Sequence, residues 1–272
     1  MNEDSRTPEQ LRRHFEVEHE LAGRLLRSTR EERARLYQTL YDELFARVPD
    51  HPRRVRRESE ESIRRALAAR LALLRPFLSG VDVFLEIAPG DCTLAFEVCR
   101  HARQVLAADI SDQTGGRATV PANFKLVVYD GYRLDLPEAS VDLAFSYQFL
   151  EHLHPEDMEG HLALICRLLK PGGAYVFSTP HRFSGPHDIS RHFSDEPAGF
   201  HLKEWTYGEL FALLRQTGFA SAYTYRFGQP RRQAAWNAAV LGVERILGWL
   251  PRNLQRAASG RLFQSVTAVA FK

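Results

Sequence analysis

Apolar positions along the first eighty residues recur at helical spacing, and from Val81 onward they gather into short runs. Thr7-Pro8-Glu9-Gln10 supplies a cap, a proline at the first helical position and a glutamine three residues after the cap; Leu11, Phe15, Leu21 and Leu25 follow as a stripe. A second stripe, Leu36/Tyr37, Leu40/Tyr41, Leu44/Phe45 and Val48, is closed by Pro49 and Pro52. A third passes through Ile63, Leu67, Leu71, Leu74 and Leu78, with Glu58, Glu60 and Glu61 at its start and Ser79-Gly80 at its end. Residues 1–80 therefore read as a helical cap region.

Beyond it, apolar runs alternate with helical stretches, the texture of β-α-β units. Strands are predicted near 82–88, 104–109, 124–129, 141–146, 174–179, 221–227 and 265–271. Helices are predicted near 91–101, 155–169 and 207–217, the last opened by a Thr206–Glu209 capping box and stopped by Gly218. The fold class is α/β, a doubly wound, seven-stranded, mostly parallel sheet over 81–272.

A formal net charge of +2 lacks the concentrated basic surface that nucleic acid binding requires. Three cysteines without a Cys-x-x-Cys spacing, Cys92, Cys99 and Cys166, fit neither a disulfide framework nor a structural zinc site. The first ten residues are polar and read as no secretory signal, and Glu244 and Arg245 interrupt the longest apolar run, so the expected location is the cytoplasm.

Candidate chemistry begins at Val83-Phe84-Leu85-Glu86-Ile87-Ala88-Pro89-Gly90-Asp91-Cys92, a strand entering a tight turn and then a helix. Small residues at Ala88 and Gly90 would let a ligand approach the backbone, provided that φ at Ala88 is negative. The next strand ends at Asp109, where a carboxylate can accept both hydroxyls of a ribose. Parallel sheets also place small residues at strand ends for packing alone. Further on come Asp130-Gly131, Leu136-Pro137, Val141-Asp142-Leu143, Phe149-Leu150-Glu151-His152-Leu153, Leu168-Leu169-Lys170-Pro171-Gly172-Gly173 and Ser178-Thr179-Pro180.

In order and spacing, the segments between Val81 and Phe227 resemble the class I S-adenosylmethionine-dependent methyltransferases, particularly the branch with small-molecule and ubiquinone-pathway O-methyltransferases. The resemblance implies a Rossmann-like fold and S-adenosyl-L-methionine as cofactor. It places Glu86 at the methionine amino group, Ala88 and Gly90 beneath the cofactor, Asp109 on the ribose, and Asp130 with Gly131 at the adenine. Ser146 and Tyr147 would line the site. The family's glycine triplet reads Ala88, Gly90 and Cys92 here, which is compatible with weaker binding. A nicotinamide site would show Gly-x-Gly-x-x-Gly instead.

Methyl transfer to a hydroxyl calls for alignment and usually a base. Glu151-His152 falls where related enzymes place an acid–histidine pair, so His152 is a catalytic candidate, with packing in a turn as the ordinary alternative. Some relatives hold magnesium with Glu-x-x-Glu-His; Gln148 replaces the first acid here, and a neutral amide weakens a hard-cation site, so no metal is expected. The stretch from His181 to Trp205 reads as a long functional loop rich in imidazole. His187 and His192 are its candidate bases, and loop-pinning hydrogen bonds are their alternative role. Tyr37 and Tyr41 either cover the cofactor or form core. Trp236, Val240, Val243, Leu247 and Leu250 form a face that packs on the sheet, lines an acceptor pocket or makes peripheral membrane contact.

The reading is transfer of a methyl group to a small-molecule acceptor, oxygen first. A scaffold of the same fold with little turnover, or a protein or RNA methyltransferase, are the rivals. Oligomeric state leaves no mark in the sequence.

Overall fold

A computed structural model describes residues 6–55, 59–113, 120–226 and 228–272. Glu58 and Phe227, used in reading the sequence, and residues 1–5 lie outside them. The helices of the first part are α1 (Pro8–Leu26), α2 (Arg30–Arg47), the single turn α3 (Pro52–Val55) and α4 (Glu60–Leu74). The Thr7–Gln10 capping box forms as expected, and Thr29 with Glu32 makes a second at the start of α2.

Then come β1 (Val83–Ile87), α5 (Thr93–Val98), β2 (Gln104–Asp109), β3 (Phe124–Val128), β4 (Val141–Tyr147), α6 (Met158–Leu168), β5 (Leu169–Pro180), α7 (Tyr207–Gln216), β6 (Ser221–Arg226), β7 (Gln229–Pro230), α8 (Ala234–Leu247), α9 (Arg252–Leu262) and β8 (Ser265–Phe271). The sheet order is β3-β2-β1-β4-β5-β8-β6-β7. Strands β3, β2, β1, β4 and β5 pair in parallel, and β8 enters antiparallel between β5 and β6. The eighth strand, beyond the seven expected, is the two-residue β7 on the edge of β6. The helix expected over 91–101 shortens to α5, because the turn before it occupies the first positions.

Alternation along the strands sends Leu85 and Ile87 to one face of the sheet and Phe84 to the other. The first face is covered by α6, α7 and part of α8; the second by α4 and α5, through Leu74, Leu94, Ala95 and Val98. Both faces are therefore dry, as a parallel sheet requires. Helices α1 and α2 have their own core, in which Leu21, Leu25, Leu40 and Leu44 pack with Phe200 and Leu202 of the loop after β5. The packing seam thus lies ahead of α4, which belongs with the sheet.

Two charged side chains fasten these parts. Arg33 of α2, 3% exposed, reaches Asp157 through Nε at 2.9 Å and Nη2 at 3.0 Å. That two-pronged geometry gives a buried pair direction as well as attraction. Glu244 interrupts the apolar face of α8 because its carboxylate accepts from the Tyr207 and Gly208 backbone N–H groups, both at 2.7 Å, at the start of α7, and from His181 Nε2 at 2.7 Å. A carboxylate at a helix N-terminus satisfies unpaired donors and opposes the helix dipole. On α8, Leu247 is buried, whereas Trp236 and Val243 remain exposed, so the expected apolar face packs only in part. No helix among the described residues is long and apolar enough to cross a membrane.

The turn after β1 departs from the sequence expectation in one respect. Ala88 has φ +53°, left-handed rather than negative, and Cys92 follows at φ +58°. A Cβ in that region costs about 1–2 kcal/mol. Ala88→Gly should raise unfolding free energy by about 1 kcal/mol and shift the urea midpoint upward. A lower midpoint would show that the alanine methyl contributes more by packing than it costs in strain.

Candidate active site

Strands β1 to β4 deliver their carboxyl ends to one edge of the sheet, and the residues singled out in the sequence lie along it. Glu86 is 3% exposed, and its Oε2 is buried without a hydrogen-bond partner. Burial pushes its carboxyl up to about 8, against the opposing charge of Arg70 on α4. Arg70 also lies over the Tyr147 ring, 5.9 Å from its centroid, so α4 reaches across the ends of β1 and β4. At Gly90, φ +58°, an added Cβ would meet nothing within 4 Å, which leaves open space before the turn.

Asp109 is nearly buried, with Oδ1 accepting from Ser111 N at 3.3 Å, and burial raises its pKa. Asp130 is held differently. Its Oδ1 accepts from the backbone of Tyr132 at 2.8 Å and Arg133 at 2.6 Å; burial is the largest single influence and raises its pKa, but these bonds and the Arg133 charge together outweigh it and lower the pKa. Gly131 beside it has φ +85°. Ser146, expected to line the site, commits its hydroxyl to Tyr175 at 2.6 Å and is fully buried, so Tyr147 is the accessible member of that pair.

Past β4, a cavity of about 570 Å³ opens between the N-terminal helices and the loop after β5. Its walls include His14 and Glu18 of α1, Tyr41 of α2, and His152, His187 and His201. The loop is closed at its base: Arg182 N donates to Trp205 O at 3.0 Å, and Trp205 Nε1 to Leu150 O at 3.2 Å. Arg252 of α9 donates to the carbonyls of Arg182 and Gly185. Phe200 N donates to Glu18 Oε1 at 2.8 Å, joining the loop to α1.

Inside the loop, Glu204 is 1% exposed and accepts from His187 N at 2.7 Å, His187 Nδ1 at 3.0 Å and His201 Nδ1 at 2.8 Å. Burial works against its charge, but the histidine hydrogen bonds prevail and hold the carboxyl at about 2. A Cβ on Gly185 would lie 1.8 Å from Glu204 Oε2, so only glycine fits there. His187 Nε2 stands 3.2 Å from Ser184 Oγ. His192 is placed otherwise than expected: it is exposed, bonded to Arg191 Nε, and absent from the cavity wall.

His152 donates through Nδ1 to Phe200 O at 2.9 Å, and burial pushes its pKa down to about 3. Of their two expected roles, Tyr37 and Tyr41 take that of core: both pack against the core of α1 and α2. Tyr37 accepts from His154 N at 3.1 Å, and Tyr41 packs edge-on against Phe200 and faces the cavity. The sequence reading missed Arg70, Glu204 and the α1 pair His14 and Glu18. The last two sit four apart on one helix face, which was the only available signal.

A family model described as a methyltransferase domain matches residues 85–177. A probable S-adenosylmethionine-dependent methyltransferase of Mycolicibacterium smegmatis is 34% identical over 148 residues, 52% of this chain and 52% of that protein. One of Mycobacterium tuberculosis is 32% identical over 152 residues, 54% of this chain and 51% of that protein. The chain spans about half the length of the curated relatives it matches. Among solved structures, the 1,6-didemethyltoxoflavin-N1-methyltransferase of Burkholderia thailandensis, with 1,6-didemethyltoxoflavin and S-adenosylhomocysteine bound, has a TM-score of 0.56 at 19% identity, covering 90% of this chain and 91% of that one. A SAM-dependent methyltransferase of Archaeoglobus fulgidus gives 0.53 at 21% identity, over 77% and 94%. The domain match covers residues 85–177, which hold most of β1, all of β2 to β4 and most of β5, and the proteins to which the chain is similar there are S-adenosylmethionine-dependent methyltransferases.

Proposed function

We propose that the protein transfers a methyl group from S-adenosylmethionine to an oxygen of a small polar acceptor held in the histidine-lined cavity. The observation that carries this reading is a cavity of about 570 Å³ walled in part by His152, which follows β4 in the turn after Tyr147, while Glu86, Asp109 and Asp130 stand at the ends of the neighbouring parallel strands. That volume is in the range of small-molecule sites. The wall is rich in hydrogen-bonding groups, which favours a hydroxylated acceptor over an apolar one.

The residues present fit the cofactor. Glu86 has a buried oxygen in want of a donor, and an ammonium would satisfy it. Asp109 retains acceptor capacity for ribose hydroxyls, and Oδ2 of Asp130 is available to an adenine amino group. Bound S-adenosylmethionine supplies an electrophilic methyl group. His187 is the proton acceptor in this reading. Glu204 holds its Nδ1–H, which leaves Nε2 to take the acceptor's proton. Ser184 Oγ donates its own proton to His181 O at 3.0 Å and can then accept from protonated Nε2. His152, with Nε2 free and its charged form disfavoured, lines the same cavity as a positioning or catalytic group. His192 plays no part.

Isothermal calorimetry should show cofactor binding weakened about 10- to 100-fold in Asp109→Ala, as expected for lost charge-assisted hydrogen bonds. Unchanged affinity would place the cofactor elsewhere.

Proton linkage gives a second outcome. With its pKa near 8 in the free protein, Glu86 is mostly protonated at pH 7, and an incoming ammonium favours its carboxylate. Binding at pH 7 should therefore release a proton, and affinity should rise as pH approaches 8. Binding enthalpy should vary with the ionisation enthalpy of the buffer, and this dependence should vanish in Glu86→Gln. Buffer-independent enthalpy in the wild type would contradict the assignment.

Turnover separates the loop histidines. His187→Ala should reduce the methyl-transfer rate about a hundred- to ten-thousand-fold with cofactor affinity little changed. His192→Ala should retain the wild-type rate. Equal rates in both variants would show that His187 only pins the loop.

A further inference from the structure

We propose that Glu151, His152 and His201 form a binding site for one divalent transition-metal ion, of the zinc or cobalt type, in the floor of the cavity. One ligand atom from each of the three lies within 4.8 Å of the others. Two come from the turn after β4 and the third from the far end of the loop after β5, so the set exists only in the folded protein.

The surroundings of each side chain point to a ligand. Glu151 is fully buried; its Oε2 accepts from Thr179 Oγ1 at 2.9 Å, and its Oε1 has no hydrogen-bond partner. An unpartnered carboxylate oxygen in the interior is costly, and a cation would satisfy it. The rings of His152 and His201 are oriented by their Nδ1 atoms, one on the Phe200 carbonyl and one on the Glu204 carboxylate. Neither partner can donate, so Nδ1 holds the proton and Nε2 of each ring is the position for a ligand. Carbonyl and carboxylate partners on the outer ring nitrogen are how metal-binding histidines are held and kept basic.

The other histidine–carboxylate group in the same cavity lacks this arrangement. His14 has both ring nitrogens occupied, Nδ1 by Arg6 Nη1 at 2.7 Å and Nε2 by Glu18 at 2.7 Å. It is closed by its own hydrogen bonds.

Donor chemistry decides the ion. Two imidazoles and one carboxylate suit a borderline transition metal, whereas magnesium prefers an all-oxygen shell. The sequence argument against magnesium keeps its force, since Gln148 is exposed and offers at most a neutral amide. His201, fifty residues away in sequence, supplies the nitrogen that the short motif could not reveal. Three protein ligands leave coordination positions open to the cavity. An ion there would act as Lewis acid on an acceptor hydroxyl, a role that rests on the methyl-transfer reading; the existence of the site does not.

The test is metal binding, read without any substrate. Full-length protein stripped with a chelator is titrated with cobalt(II) chloride, followed by visible absorption and calorimetry, and then challenged with zinc and magnesium. The expected result is one cobalt per chain with the d–d bands of histidine ligation, displaced by zinc and not by magnesium. His201→Ala and Glu151→Gln should abolish the bands, and Glu204→Gln should weaken binding about 10- to 100-fold by releasing the His201 ring. His192→Ala should bind as the wild type does, and circular dichroism verifies that each variant is folded. No cobalt bound by folded wild type overturns the proposal outright. So does binding that survives in His201→Ala and disappears in His14→Ala, or displacement by magnesium.

Discussion

A carboxylate with almost no exposure, Glu204, governs the cavity side of this molecule. It could not be buried as an anion without donors, and the chain brings it three, from one backbone N–H and two imidazoles. To reach them, the loop after β5 turns back at Gly185, where the carboxylate occupies the place of a side chain. It returns to pair Trp205 with Arg182 at its base. The positions of His187 and His201 follow from this single anchor. So does the seat that Phe200 and Leu202 offer to α1 and α2, since the two N-terminal helices have little other apolar surface to pack against.

The sheet edge obeys a different constraint. Strands buried on both faces must end in groups that tolerate low dielectric, and Glu86 and Asp109 do so at the cost of raised pKa values. Strained left-handed backbone at Ala88 and Cys92 adds to that cost. Buried acids, an orphaned oxygen and strain together mark a functional edge better than any of them does alone. Tyr147 ends β4 on this edge, and His152 of the turn that follows lines the cavity.

Much of this was legible in the sequence, because the signals were local. Short apolar runs alternating with helical stretches located β1, β2 and β4, and Thr206 with Glu209 located the start of α7. Asp109 was singled out because strand-end position and residue type coincide, and Glu86 through the resemblance of its segment. What escaped notice depends on tertiary contacts. Nothing near Glu204 in sequence announces that His187, seventeen residues away, is its partner. The exposure of His192 likewise depends on where the loop lies, and its residue type equals that of His187. The left-handed φ of Ala88 ran against the intrinsic preference of alanine, and the turn geometry prevailed. Glu244 looked like an interruption in an apolar helix, yet it caps another helix thirty-seven residues away.

The central claim is spatial: cofactor along the ends of β1 to β4, acceptor in the cavity beside it. A crystal structure with S-adenosylhomocysteine bound tests it most directly. The ligand's amino group should lie on Glu86 and its ribose on Asp109, with the sulfur facing the cavity and His187 across from it. A ligand bound away from these strands, or a sulfur turned to bulk solvent and walled off from the histidines, would contradict it.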